Sequence, residues 1–252
     1  MAMLKEIKNL VAFLTIIPVG MDPDCLTSSA NYMYLFPLVG AVIGLLAGLF
    51  AWLLLNILAS LVVGILTLGF MLLLTGLHHT DGLLDFGDGI MYQGPPKKKI
   101  EIMHDQRTGA GGLALGLVTI LATASCIAEL NKNSIIQSLI AAEVSAKLAM
   151  VIMAWVGKSA HKGTSTYFVD AMHNQYRSLR LVGALFIAFG IAICLLRIVG
   201  FVAVIACLAV ALVLVGVSNR HFKGVTGDVF GAGNELARLA SLIAILVMIR
   251  WA

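Results

Sequence analysis

The sequence predicts an all-α integral membrane protein that forms one polytopic domain over residues 1–252. First, 60% of the residues are hydrophobic, only 12% are charged and the mean hydropathy is +0.98, far outside the range of soluble domains. Second, several apolar stretches reach the roughly 20 residues that a helix needs to cross a hydrocarbon core about 30 Å thick. Third, lysine and arginine gather in alternate connections between these stretches, as they do in loops on one side of a membrane.

About seven transmembrane helices are predicted, preceded by a short interfacial helix. The stretch LKEIKNLVAFLTII is mixed and then apolar, too short for a span, and is followed by Pro18, so we expect it to lie at the membrane surface. No cleavable signal peptide is expected, because Met1–Thr15 lacks a small-residue cleavage site after an apolar core. The spans lie near residues 33–56, 60–77, 110–129, 134–156, 181–198, 199–217 and 236–251, and the boundary between the fifth and sixth is the least defined.

Small residues inside the spans are interpreted as packing positions. Gly40, Gly44 and Gly48 repeat every four residues, which is typical of close contacts between membrane helices. The four cysteines have no CxxC spacing, and three of them fall in apolar spans, so neither a disulfide framework nor a zinc site is predicted.

The charge distribution predicts the orientation of the chain in the membrane. Basic residues lie before the first span and in the long connections near residues 97–107, 158–180 and 220–223. The other connections contribute only Lys132 and Arg197. By the positive-inside rule, the N-terminus and the three long connections are cytoplasmic and the protein lies in the cell membrane. A basic face also favours phosphate-rich substrates, although orientation alone explains it.

Three aspartates follow the second span in HTDGLLDFGDG. Asp81, Asp85 and Asp88 are spaced i, i+4 and i+7 and therefore share one helical face, where like charges repel one another. A solvated loop face would explain one such carboxylate, but three on one face at a membrane boundary favour a cation site. Oxygen ligands without cysteine suit one or two Mg²⁺ ions, or Mn²⁺, better than zinc.

A second cluster, KKKIEIMHDQRTGAGG, lies shortly after the aspartates. Lys97–Lys99 are explained by an ordinary solvated charge run. Asp105 and Arg107, followed by GAGG, indicate an anion site, because glycines let backbone approach a ligand and arginine binds phosphate oxygens with two hydrogen bonds. The same glycines also open an apolar helix, where glycine often packs against a neighbour.

A third cluster, VTGDVFGAGNELAR, precedes the last span. Helix capping explains Thr226 or Asp228 alone, but it does not explain Asn234 and Glu235 one to two turns further on. Polar clusters on the same side of the membrane but distant in sequence are what a site assembled from several helices requires. The active site is therefore predicted at the cytoplasmic helix ends.

These motifs resemble the cobalamin synthase family, the adenosylcobinamide-GDP ribazoletransferases of vitamin B12 biosynthesis. The resemblance runs nearly end to end through FLTIIPV, FPLVGAVIG, HTDGLLDFGDG, EIMHDQRTGAGG and TGDVFGAGNE. The matching positions are His79, Asp81, Asp85 and Asp88 in the third of these motifs, Asp105 and Arg107 in the fourth, and Asp228, Asn234 and Glu235 in the fifth. The chain departs from the family where many members read Pro-Tyr-Ala-Arg after the fourth span, because GKSAHKGTS stands there. Lys158, His161 or Lys162 replaces that arginine, and Lys147 stands where another arginine is common.

The resemblance implies transfer of adenosylcobinamide phosphate from its GDP ester to α-ribazole or α-ribazole 5′-phosphate, with release of GMP and with Mg²⁺ as cofactor. It implies metal ligation by Asp81, Asp85, Asp88 and Asp228, and proton transfer by Asp88 with His79 and Asp105 also in catalytic positions. The implied contacts to diphosphate or substrate are Arg107, Lys98, Lys147, Lys158, His161, Thr226, Asn234 and Glu235. The expected partners are these small molecules and the lipid bilayer, with no nucleic acid, and a homo-oligomer stays open.

Two other classes fit parts of the pattern. A CDP-alcohol phosphotransferase also uses clustered aspartates at a helix end, but its longer DGxxAR-type element is absent from this sequence. A cation or solute transporter also carries intramembrane acids, yet it is expected to have polar residues through both halves of the membrane. Here only Glu143 and Lys147 lie well inside a span, four residues apart, where a structural ion pair is the competing explanation.

Overall fold

The computed structural model describes residues 2–20 and 22–251, and it confirms the all-α prediction. Within these ranges the chain forms no strand, and its only bridge pairs Ser159 with Val225. A 3₁₀ turn at Met33–Leu35 precedes the third helix. The α-helices are α1 Ala2–Leu14, α2 Cys25–Asn31, α3 Phe36–Leu54, α4 Ser60–Leu74, α5 His78–Met91, α6 Pro96–Met103, α7 Ala110–Glu129, α8 Ile135–Val156, α9 Thr164–Met172, α10 Arg177–Leu196, α11 Ile198–Phe222 and α12 Gly227–Trp251.

Six of the described helices are long and apolar enough to cross a membrane, namely α3 with its 3₁₀ turn, α7, α8, α10, α11 and α12. Helices α4 and α5 form a seventh crossing if they are taken as one broken span, bent by 96°. Large apolar side chains on outer faces, such as Phe186 at 79% exposure and Leu121 at 64%, match a lipid surround. The six long apolar helices, or seven with the broken span, agree with the prediction of about seven transmembrane helices.

The last spans are longer than predicted. Helix α12 begins at Gly227 instead of near residue 236, and α11 continues to Phe222 instead of ending near residue 217. The predicted boundaries followed the first polar residues, but α12 includes Asn234, Glu235 and Arg238 because their side chains find partners inside the bundle. The uncertain junction between the fifth and sixth predicted spans lies at Arg197, whose backbone has φ 54 between α10 and α11.

Helix α8 is the central element of the bundle. Every residue from 141 to 154 is buried, so this helix contacts protein on all sides. Helix α3 packs along it through the predicted glycine positions. A Cβ added at Gly40 or at Gly44 would lie 2.5 Å from a backbone oxygen of α8, at Glu143 and Leu139 respectively. The predicted close helix contact is thereby confirmed.

The helices alternate in direction, so their connections gather at two ends. At one end Lys132 donates a hydrogen bond to Asn56 and lies 5.1 Å above the ring of Trp52. At the other end lie the long connections after α5, α6, α8 and α11. Helix α1, expected to lie at the membrane surface, ends at Leu14. The Ile16 N–H donates to the Leu74 carbonyl at 2.8 Å, which ties the segment after α1 to the end of α4. All four cysteines are free, as predicted.

Candidate active site

A left-handed turn sets the direction of α5. Gly76 and Leu77 have φ values of 65 and 62, and the Leu77 N–H donates to the Leu72 carbonyl at 2.9 Å. Glycine adopts this conformation without strain, and such a turn commonly ends a helix. Helix α5 therefore leaves α4 at a steep angle and crosses the ends of its neighbours.

Helix α5 is held between the beginnings of α7 and α12 at very close range. A Cβ on Gly82 would lie 2.9 Å from the backbone of Asp228 in the first turn of α12. A Cβ on Gly112 would lie 2.4 Å from the Leu84 carbonyl oxygen. Two helix N-termini, whose free N–H groups carry partial positive charge, thus adjoin the acidic helix.

The structure brings together the four aspartates predicted to ligate metal. Asp81, Asp85 and Asp88, here called the acidic row, lie on successive turns of α5, and Asp228 adjoins them through the contact at Gly82. Asp81 is exposed and the other three are half-buried. None of the ion pairs among the described residues includes any of the four. Nearby carboxylates without cationic partners repel one another, so this arrangement favours a bound cation.

Asp88 also has a structural partner. Its carboxylate accepts hydrogen bonds from the backbone N–H groups of Gly109 at 2.7 Å and Gly112 at 2.8 Å. It therefore caps the start of α7 from another helix. The glycines of GAGG allow this approach, since a Cβ at Gly109 would lie 2.5 Å from the Asp88 carboxylate. A carboxylate offers about four lone-pair directions, so Asp88 keeps acceptor capacity for a metal or a proton.

Asp105 and Arg107 form a pair at the mouth of the site. The guanidinium contacts the carboxylate at 3.2 Å through Nε and 3.0 Å through Nη2, and the Arg107 N–H donates at 3.1 Å. Hydrogen bonds from Arg107 hold the pKa of the Asp105 carboxyl below its usual range. The Arg107 side chain is 89% exposed and lines a surface groove together with Asp88, Asp105 and Gly109. Asp105 thus orients the exposed guanidinium of Arg107 beside the acidic row.

Three connections converge at this end of the bundle, and we call them the loop face: residues 104–109, 157–163 and 223–226. The rings of His104 and His161 meet edge to face at 5.5 Å. The Ala160 N–H donates to the Val225 carbonyl at 3.0 Å, and the Val225 N–H donates to the Lys158 carbonyl at 2.7 Å. Lys158 itself is exposed. The loop face therefore brings Lys158 and His161 near Asp105 and Thr226, which are distant in sequence.

Thr226 has a capping role at the start of α12. Its hydroxyl accepts from the Val229 N–H at 3.2 Å and donates to the Asp228 carboxylate at 3.2 Å. The side chain is buried, so it acts on substrate only through Asp228 in this arrangement. Capping was one of the two interpretations of this residue, and the geometry supports it.

Lys147, Asn234 and Glu235 lie deeper than the other predicted site residues. Together with Glu143 and Arg238 they form the buried ion network, in which every member is at most 3% exposed. Lys147 Nζ contacts Glu143 at 3.3 Å and donates to Asn234 Oδ1 at 2.6 Å. Arg238 pairs with both Glu143 and Glu235. The two cations balance the two carboxylates, so the structural ion pair expected for Glu143 and Lys147 is present and extends to α12.

Two buried basic residues near the site were missed from the sequence. Arg238 stands three residues after Glu235 in NELAR, and an arginine at that spacing inside a span was the signal for a buried partner. Lys99 was assigned to a solvated charge run, but it is buried and donates to the Gly89 and Ile90 carbonyls at 3.3 and 3.1 Å at the end of α5. Lys98 is exposed and pairs with Glu101 at 2.7 Å.

His79 lies on the inner side of α5. It is 7% exposed, and a Cβ on Gly231 of α12 would lie 2.9 Å from its carbonyl oxygen. Its side chain lines a cavity between α1, α3, α5, α8, α9 and α12 instead of the exposed groove at Arg107. The structure therefore separates His79 from the pair formed by Asp105 and Arg107.

A family model described as Cobalamin-5-phosphate synthase matches residues 6–246. The chain belongs to this family. The resemblance inferred from its motifs is thereby confirmed.

Relatives of similar length agree with this membership. A protein of Methanocella arvoryzae named adenosylcobinamide-GDP ribazoletransferase is 38% identical over 95% of this chain and 94% of its own length. Proteins of the same name from Methanococcoides burtonii and Thermococcus kodakarensis are 34% and 30% identical, covering 98% and 97% of this chain and 93% and 99% of their own lengths. No solved structure matches the chain.

The carboxylate oxygens of the acidic row and Asp228 are the type of ligand that a hard cation prefers. Across the described part of the chain, no three His, Cys, Asp or Glu side chains converge into a ready metal cage. Magnesium does not need such a cage, because it keeps several waters and is commonly held by one or two carboxylates plus substrate phosphates. The carboxylates of Asp81 and Asp85, and the Asp228 oxygen that does not accept from Thr226, provide that donor set, so the residues fit Mg²⁺.

Proposed function

We propose that this protein transfers adenosylcobinamide phosphate from adenosylcobinamide-GDP to α-ribazole or α-ribazole 5′-phosphate. The products are GMP and adenosylcobalamin or its 5′-phosphate. The observation that carries the proposal is the contact of α5 with the first turns of α7 and α12, because it assembles four aspartates from two distant motifs beside an exposed arginine. Membership of the cobalamin-5-phosphate synthase family supports the substrate class.

The diphosphate of the activated corrinoid is assigned to the groove at Asp88, Asp105 and Arg107. The Arg107 guanidinium is largely exposed although it pairs with Asp105. It is assigned to bind two phosphate oxygens at once, a contact that a lysine does not reproduce. Asp105 holds the guanidinium in place through its hydrogen bonds. Further positive or hydrogen-bonding groups for the substrate are assigned to the exposed side chains of Lys98 and Lys158 and to the half-buried His161.

The carboxylates are assigned to metal binding and to proton transfer. Asp81, Asp85 and Asp228 would hold one or two Mg²⁺ ions, and a bound Mg²⁺ would supply positive charge to neutralise the phosphoryl oxygens. Asp88 is fixed by Gly109 and Gly112 and accepts the proton of the attacking ribose hydroxyl. The new bond joins that ribose oxygen to the corrinoid phosphate, and the bond to the GMP oxygen breaks.

The site is assigned to the cytoplasmic side of the cell membrane. The long basic connections lie at one end of the bundle with the acidic row, and Lys132 lies at the other. Since basic loops stay on the cytoplasmic side, the loop face opens toward the compartment that supplies nucleotides.

The test is GMP release by the purified protein in detergent. Wild-type protein should form GMP from adenosylcobinamide-GDP only when α-ribazole or its 5′-phosphate is present, because each turnover consumes one acceptor. Supplying the two acceptors separately identifies the preferred one. A transporter would require a sealed compartment and would release no GMP, and that result would overturn the proposal.

Asp85→Asn is the matched test of the acidic row. Its amide keeps the size of the carboxylate but loses the negative charge, so GMP release should fall on the order of a hundredfold or more. Asp170→Asn makes the same change at an exposed position on α9 and should leave the rate unaltered. Equal rates in the two variants would remove Asp85 from the site.

A further inference from the structure

An aromatic cavity lies on the inner side of α5, lined in part by His79, which lies two residues before Asp81 of the acidic row. Its volume is about 320 Å³, which lies at the lower end of the range of small-molecule sites. It is lined mainly by apolar side chains, among them Phe36, Phe168, Phe230 and Met150, with His79 from the first turn of α5. The mechanism proposed above makes no use of this space.

The phenyl rings form a continuous aromatic wall. The ring of Phe168 lies 5.3 Å from that of Phe13, 6.0 Å from that of Phe36 and 6.3 Å from that of Phe230. Aromatic rings at such separations present faces and edges that favour another flat aromatic system. The shape of the wall suits a planar ring better than a flexible chain.

His79 supplies a polar group in these apolar surroundings. The side chain is more than nine-tenths buried, and its Nδ1 atom has no hydrogen-bond partner among the described residues. Buried polar atoms are nearly always paired, so an unpaired one beside a cavity indicates a missing partner. A hydrocarbon tail has no group to offer it, whereas a nitrogen heterocycle does.

The lining of the cavity includes sequence neighbours of the aspartates assigned to the reaction. Gly227 and Gly231, which flank Asp228 in the first turns of α12, both line it. His78 and His79 also line it, and Asp81 follows in the same first turn of α5. A nucleoside whose base lay in the cavity would therefore hold its ribose near the aspartates.

We propose that this aromatic cavity binds the planar base of the acceptor nucleoside, with His79 as its polar contact. The assignment rests on the proposed function, because it places the second substrate of that reaction. Binding the base orients the ribose hydroxyl toward the corrinoid phosphate, so the cavity contributes positioning. It also gives the unpaired imidazole of His79 a role in binding.

Ala12→Phe tests the cavity by filling it. Ala12 lines the cavity from α1 and is half-buried, so a phenyl group there would occupy the space assigned to the base. The KM for α-ribazole should rise about tenfold or more, whereas the KM for adenosylcobinamide-GDP should stay unchanged. Equilibrium binding of labelled α-ribazole to the detergent-solubilised protein should weaken by the same factor.

Two further variants keep the test decisive. Leu4→Phe adds the same ring to an exposed position on α1 and should leave both KM values unaltered. Thr164 lines the cavity from the start of α9 and is exposed. The phenyl group of Thr164→Phe therefore enters the cavity from a second helix and should repeat the effect of Ala12→Phe. This second route answers the question even if the change at Ala12 disturbs α1.

The outcomes separate the cavity assignment from the proposed function. If wild-type protein is active but Thr164→Phe and Ala12→Phe bind α-ribazole normally, the base does not occupy the cavity. A rise in KM for adenosylcobinamide-GDP alone would likewise overturn the assignment in favour of the other substrate, and loss of a co-purifying lipid without a kinetic change would identify a lipid site. If wild-type protein releases no GMP, the proposed function itself fails.

Discussion

Glu143 offers the sharpest test of the structure because it contacts both cations of the buried ion network. Its carboxylate meets Lys147 at 3.3 Å and also pairs with Arg238, and all three side chains are fully buried. Glu143→Gln keeps the shape but removes the charge, which leaves two cations facing the single carboxylate of Glu235. Losing one partner of a buried ion pair costs about 3–5 kcal/mol, because the remaining charge is neither solvated nor neutralised.

The matched control is Glu101→Gln on α6. Glu101 pairs with Lys98 at 2.7 Å, but both residues face solvent. Exposed ion pairs contribute little because water screens them, so this variant should unfold like wild type. The burial of Glu143 then accounts for the difference between the two substitutions.

Thermal unfolding in detergent, followed by circular dichroism, measures both variants. Glu143→Gln should lower the unfolding midpoint on the order of 10 °C, since about 1 kcal/mol corresponds to a few degrees in a chain of this size. Adding Lys147→Met to Glu143→Gln should recover part of the loss, because the network regains its charge balance. Equal midpoints for Glu143→Gln and Glu101→Gln would refute the network.

Three further predictions concern the reaction and the orientation. Chelation by EDTA should stop GMP release, and added Mg²⁺ should restore it. Asp228→Asn should raise the Mg²⁺ concentration needed for half-maximal rate. A rate of GMP release that chelation leaves unchanged would rule out the metal. Arg107→Lys should lower kcat on the order of a hundredfold, because lysine lacks the bidentate contact as charge develops on GMP, and unchanged kinetics would remove Arg107 from the site. Cysteines introduced at Lys162 and Lys132 should react with an impermeant reagent from opposite sides of the membrane, and labelling from one side would contradict the assigned orientation.

Helix positions and the acidic row were predictable because they depend on local periodicity. Apolar length alone locates most of the spans, and the i, i+4, i+7 spacing places Asp81, Asp85 and Asp88 on one face of what is indeed one helix. The four-residue repeat of glycines likewise predicts the contact between α3 and α8, because close packing requires only the absence of side chains on one face.

The parts that sequence patterns did not predict depend on contacts between distant segments. GAGG indicated an approach of backbone to a ligand, but the group that Gly109 and Gly112 approach is the Asp88 side chain of the protein itself. The predicted start of the last span was wrong for a related reason. Asn234 and Glu235 look too polar for a span until their buried partners are known, and no local pattern identifies Lys147 and Glu143 of α8 as the residues that complete the network.

The buried ion network also explains how the site keeps its geometry. Helix α12 carries Asp228 in its first turn and Asn234, Glu235 and Arg238 in the following turns. Sliding α12 along α8 by one turn, about 5.4 Å, would separate Lys147 from Asn234 and Arg238 from Glu143, leaving charges unpaired in the bundle interior. The network therefore fixes the axial position of α12 more strictly than apolar packing does, because apolar contacts exchange for similar ones on sliding. Asp228 belongs to the same helix as Asn234, Glu235 and Arg238. The buried ion network, although out of reach of substrate, therefore holds Asp228 beside Gly82 and the acidic row.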